Sequence, residues 1–112
     1  MEVIIDGSFG VIAADQAQAL ATVLNELVAN SVEHGLAERD GTIVVSVQRE
    51  GETMTVKVAD DGVGFEPGTP MSGLGTQIVK QMVRGDLNGS IDWSLRSEGG
   101  TVVTLKIHLD EV

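Results

Sequence analysis

Apolar residues along this chain fall into six short strand-like stretches and two longer stretches with a helical period. Val3 to Ile5 and Phe9 to Ile12 flank Asp6-Gly7, a pair suited to a two-residue turn, and predict a first hairpin. Asp15 is placed to cap a helix of roughly twenty residues. Its apolar positions Leu20, Val23, Leu24, Leu27, Val28 and Val32 keep close to the helical period, and Gly35 is placed to stop it. Thr42 to Gln48 and Met54 to Ala59 are rich in β-branched residues and are joined through Glu50-Gly51-Glu52, so they predict a second hairpin. A loop from Gly62 to Gly73 carries both prolines. Leu74 to Val83 predicts a second helix with Leu74, Ile78, Met82 and Val83 on one face. Ser90 to Leu95 and Thr101 to Leu109 predict two last strands around Ser97-Glu98-Gly99-Gly100. The order ββαββαββ predicts an α+β fold. Its architecture is a two-layer α/β sandwich with a mixed, mostly antiparallel sheet and helices on one face.

Composition narrows the picture. A chain of 112 residues fits one domain, residues 1–112, and 42% hydrophobic residues are enough to bury a core. With two Phe, one Trp and no Tyr, that core must be aliphatic. Fourteen Gly exceed the usual share of about 7% and concentrate in turns and candidate binding loops. The net charge of −10 repels nucleic acid and anionic membrane, so neither is an expected partner. An anionic ligand would need local donors and a metal. The absence of Cys excludes disulfides, thiolate catalysis and Cys-ligated zinc, and fits a cytoplasmic protein. No apolar run approaches the ~20 residues of a membrane span, and the acidic start Met1 to Asp6 has no signal-peptide character.

Three segments hold candidate chemistry. Glu26 and Asn30 lie four apart on one helix face and His34 continues that line, while Leu27, Val28, Ser31 and Val32 point toward the sheet. Asn30 offers a neutral oxygen to a hard cation such as Mg²⁺, and Glu26 can orient or deprotonate a water. A solvated face with a surface His is the alternative reading. Asp60-Asp61-Gly62-Val63-Gly64 follows a strand; a carboxylate there can accept from an exocyclic amine such as adenine's, and the glycines allow close backbone approach. An ordinary Asp-Gly turn is the alternative. Ser72-Gly73-Leu74-Gly75-Thr76 sits just before a helix, where main-chain N–H groups favour phosphate; a flexible helix N-cap with Ser72 as the cap is the alternative. There is no GxxxxGK[ST], and the third glycine of a GxGxxG is missing at Gly73 to Ile78. Thr101, after Gly99-Gly100, could hydrogen-bond Asp60 or a water near a base; a Gly-Gly turn followed by an ordinary β-branched strand residue is the reading that Thr101 alone favours. His108 alternates with Lys106 and Asp110 and is expected to face solvent.

The order of these segments, E-x-x-x-N on a helix, D-x-G-x-G at a strand end, G-L-G before a helix and a late G-T, resembles the GHKL ATPase superfamily across essentially the whole chain. The family comprises gyrase-type topoisomerases, heat-shock chaperone ATPases, histidine kinases and mismatch-repair ATPases. The resemblance implies the Bergerat sandwich and ATP with Mg²⁺ as ligands. It implies Asn30 as the Mg²⁺ ligand and Glu26 as the catalytic base. It implies Asp60 on the adenine amine with Gly62, Gly64 and Thr101 beside it. It further implies that Gly73, Leu74, Gly75, Thr76 and His34 are at the phosphates. Leu24 to Gly35 is similar to the sensor histidine kinases whose N-box begins with Glu. That similarity implies an ATP-binding catalytic domain presenting the γ-phosphoryl to a His on a separate helical dimerisation domain, with a response regulator downstream. An anti-sigma-factor serine kinase and a degenerate interaction module are the alternatives. Glu33, where many kinases have Lys, Met71, where many have Gly, and a short lid from Phe65 to Ser72 depart from the pattern.

Overall fold

A computed structural model describes residues 2–31, 41–62, 74–96 and 99–110. The elements run β1 (Glu2–Asp6), α1 (Ala14–Asn30), β2 (Thr42–Glu50), β3 (Thr53–Asp60), α2 (Leu74–Gly85), β4 (Ser90–Leu95) and β5 (Thr101–His108). One sheet has the order β1-β2-β3-β5-β4, parallel between β1 and β2 and antiparallel elsewhere.

Alternation in the central strands makes the layers. Ile43, Val45 and Val47 of β2, Met54, Val56 and Val58 of β3, and Val103, Leu105 and Ile107 of β5 are all buried on one face. Ala19, Leu20, Val23 and Leu27 of α1 and Val79 and Val83 of α2 complete the same core. Each such aliphatic side chain contributes about 1.5–3 kcal/mol through removal from water, so the helical layer is held on mainly by this face. The opposite face carries Ser46, Thr55, Lys57, Thr104 and Lys106, none of them buried. The expected two-layer, mostly antiparallel sandwich is therefore present. Lys106, His108 and Asp110 are exposed as expected.

The first expected hairpin is not. Residues 9 to 12 form no strand, so the order is βαββαββ, and β1 pairs in parallel with β2 from Glu2↔Thr42 to Asp6↔Ser46. Parallel neighbours need a crossover, and α1 supplies it, making β1-α1-β2 a βαβ unit. Two contacts turn the chain away from a hairpin. Gly7 adopts φ 103° so close to β2 that a Cβ there would overlap the Val47 carbonyl oxygen. Arg49 Nη1 donates to the carbonyls of Phe9 (2.6 Å) and Val11 (2.9 Å), taking acceptors that a strand partner would need. Phe9 and Ile12 pack against the core instead.

Two smaller expectations also change. The α1 N-cap is Ala13, with no side-chain cap. Asp15 sits inside the first turn, where its Oδ1 accepts from Gln16 N–H at 2.9 Å and its charge suits the helix dipole. Ile78 is 43% exposed. The inward stripe of α2 runs through Thr76, Val79 and Val83, because the helix turns its 76-79-83 line toward α1 and the sheet. Val32 and Gly35, at the expected end of α1, lie outside the described residues.

Candidate functional site

The β3–β5 register sets Asp60 directly opposite Thr101, and both are buried on the helix side of the sheet. Asp60 is the last residue of β3, and only 2% of it is exposed. Its Oδ1 accepts from the Gly62 N–H at 3.0 Å, an Asx turn that fixes the carboxylate as the chain leaves the sheet. An ionised carboxyl has more acceptor sites than this one bond uses, so Asp60 can still receive a donor from a ligand.

The turn leading into β5 lies on the same strand end. Gly99 and Gly100 have φ 97° and 98°, and a Cβ at Gly100 would overlap the Asp60 carbonyl oxygen. Only glycine combines that conformation with that approach. Arg96 N–H donates to Gly100 O at 3.0 Å, Gly99 N–H donates to Arg96 O at 3.2 Å, and Arg96 Nη1 donates to Asp60 O at 3.0 Å. The second aspartate acts elsewhere, since Asp61 Oδ1 accepts from Thr42 N–H at 3.0 Å and closes the start of β2. Sequence reading missed Arg96 and this role of Asp61. Arg96 has no local signal, because its acceptor lies 36 residues away.

On the helical layer, Glu26 and Asn30 are both half-buried, one turn apart on α1, while Leu27 and Ser31 beside them are buried. Glu26 reaches across to α2: a Cβ at Gly75 would overlap its Oε1. The E-x-x-x-N helix and the glycine-rich helix start are therefore in contact. A carboxylate rests there on the first turn of a helix, where main-chain N–H groups and the dipole favour anions. Thr76, next along, is buried. Leu74 is the first residue of α2, with its side chain outside the described set. Gly62 is buried beside Asp60. His34, Gly64 and Gly73 lie outside the described residues, as do Glu33, Met71 and the segment from Phe65 to Ser72.

The arrangement suits a purine nucleotide. It offers a buried acceptor for an exocyclic amine, a glycine that brings backbone against it, and a helix start that favours phosphate. Among the described residues no group of three or more His, Asp or Glu is placed to hold a metal. Asn30 instead offers one neutral oxygen, which fits a Mg²⁺ that keeps most of its waters and binds chiefly to phosphate.

The chain as a whole is similar to known proteins. The family described as histidine kinase-, DNA gyrase B- and HSP90-like ATPase matches residues 15–111. The chain is 36% identical over 106 residues to the sensor histidine kinase PdtaS of Mycobacterium tuberculosis, covering 90% of this chain but 21% of that protein. It is 28% identical over 111 residues to the anti-sigma F factor of Bacillus velezensis, covering 87% of this chain and 73% of that one. Among solved structures, the histidine kinase domain of the blue-light activated histidine kinase EL346 from Erythrobacter litoralis superposes with a TM-score of 0.84. Its identity is 26%, with 96% of this chain and 54% of that one covered.

Proposed function

The chain belongs to the family of histidine kinase-, DNA gyrase B- and HSP90-like ATPases, and on that premise we propose that it is the ATP-binding catalytic part of a sensor histidine kinase. It would bind ATP with Mg²⁺ and present the γ-phosphoryl to a His on a helical dimerisation domain, from which a response regulator receives it. The chain spans about a fifth of the length of the sensor kinases it matches, 21% for PdtaS, so that wider machinery is part of the proposal. The observation that carries it is the buried Asp60 carboxylate at the end of β3, paired with Thr101 and fixed by Gly62.

In this reading Asp60 accepts the adenine amine, and Thr101 stands beside it to hold the ring or a water. The first turn of α2, with Gly75 and Thr76, receives phosphate together with Gly73, Leu74 and His34. Asn30 would hold Mg²⁺, which would supply neutralisation of the phosphate charge. Glu26 orients the attacking group or takes its proton. With Glu33 where many kinases have Lys, positioning by these groups and by the metal carries most of the catalysis.

The test is a calorimetric titration with ADP and a non-hydrolysable ATP analogue, with and without Mg²⁺, using GTP as control. Saturable, adenine-selective binding is the expected result; no binding at millimolar nucleotide would sink it. Asn30→Ala is expected to reduce the Mg²⁺ enhancement of ADP affinity from about tenfold to under about twofold. Equal enhancement in parent and variant would remove Asn30 from the metal. The match to an anti-sigma factor over most of that protein's length favours a second reading, a serine kinase acting on a partner protein. Phosphoryl transfer from the loaded domain to a Ser rather than a His would select it.

A further inference from the structure

We infer that Arg96 is a positioning residue for adenine recognition. It acts through the main chain of Asp60, without touching the ligand. The inference rests on the adenine reading above and adds a residue to which neither the motifs nor the family resemblance assign a role.

The argument starts from what the strand end must do. Asp60 reads a donor only if its carboxylate is held in one place, and it sits where β3 stops and ladder hydrogen bonding ends. On the loop side, the Gly62 N–H holds Oδ1. On the other side, the turn between β4 and β5 is folded onto the Asp60 carbonyl by two contacts. Gly100 approaches that oxygen as closely as a residue without Cβ allows, and Arg96 Nη1 donates to it at 3.0 Å. The Arg96 backbone is also tied to the turn, through its N–H to Gly100 O and its C=O from Gly99 N–H. The guanidinium therefore links the segment that delivers Thr101 to the segment that delivers Asp60. These two residues face each other across the strands where the purine edge is expected. A charge-assisted bond to a part-buried carbonyl is stronger and better directed than a neutral one. Shortening the side chain would leave Asp60 and Thr101 in their strands but loosen their mutual spacing.

The chemistry at stake is discrimination between a 6-amino and a 6-oxo purine. The test compares ADP with IDP, which differ at the 6-substituent and, with it, at N1 (an acceptor in adenine, an N–H donor in hypoxanthine), binding to parent, Arg96→Ala and Arg96→Lys by calorimetry, with melting temperatures recorded for each. In Arg96→Ala the ADP-over-IDP preference is expected to fall about tenfold, the scale of one misaligned buried hydrogen bond, with IDP affinity nearly unchanged. Arg96→Lys should recover much of the preference, because an ammonium can still donate to one carbonyl. Equal weakening of ADP and IDP with a lowered melting temperature would overturn the inference in favour of a purely structural role. A loss that grows from adenosine to ADP to ATP would overturn it in favour of a phosphate contact. A parent that does not prefer ADP to IDP would overturn the adenine reading itself, and the inference with it. That outcome is recognisable before any variant is made.

Discussion

Asp60→Asn is expected to weaken ADP and ATP binding by about a hundredfold while leaving the melting temperature within about 2 °C of the parent. The fold should survive because the amide oxygen can replace Oδ1 as acceptor for the Gly62 N–H, keeping the Asx turn. Binding should not survive. The other carboxylate oxygen becomes an NH₂ group, so a donor faces the donor on adenine in a site only 2% exposed. That exchange loses a charge-assisted bond, worth about 1.5–3 kcal/mol, and buries two donors against each other. The same substitution should improve IDP relative to ADP, since an amide N–H can donate to a 6-oxo group. Calorimetry with both nucleotides reads both effects. ADP affinity that stays within about threefold of the parent would remove Asp60 from the base, whatever else binds there.

This prediction depends on residues that the sequence made legible, and the reason is local. Asp60, Gly62, Gly75 and Thr101 stand at junctions where a strand or helix starts or stops, and such junctions announce themselves by composition within a few residues. The four strands that pair antiparallel were legible for the same reason, since alternation reports one buried face. Alternation does not report a partner. Val3 to Ile5 reads as a strand, but its neighbour is chosen by residues some 40 positions away in β2. Arg49, which occupies the carbonyls of Phe9 and Val11, carries no signal at its own position. The periodicity of α2 points Ile78 inward, whereas the structure buries Val79 and leaves Ile78 exposed. Several apolar residues compete for one face, and only packing against α1 and the sheet decides among them. Arg96 shows the same limit within the site: an arginine in a polar turn reads as solvated until its acceptor is known.

Gln16 is the strongest instance, and its replacement should lower stability measurably. The sequence places it among the polar positions of α1 with no assigned role, yet it is 1% exposed and one of the largest fully buried side chains. Its Nε2 donates to Asp86 O and His108 O, each at 3.2 Å, and its Oε1 accepts from Asp110 N–H at 2.7 Å. One amide thus joins the start of α1 to the link after α2 and to the end of β5. Gln16→Leu keeps the volume but takes from two carbonyls and one N–H a partner on a fully buried side chain; Asp86, His108 and Asp110 are themselves exposed, so water replaces part of what is lost. Breaking part-buried bonds costs less than leaving fully buried groups unsatisfied, so the expected loss is about 2–3 kcal/mol. In a domain of this size that corresponds to a melting temperature lower by about 10 °C, read by calorimetric or circular-dichroism melts. Nucleotide affinity measured well below the transition should stay within about twofold of the parent. The reason is distance: His108 lies seven residues along β5 from Thr101, about 23 Å at the rise of a strand. A shift under about 3 °C would mean the three bonds are replaced by water at little cost, and that the α1–β5 junction is not closed. A large shift with unchanged affinity would separate the groups that hold the sandwich together from the opposite end, where Asp60 and Thr101 are set to read the base.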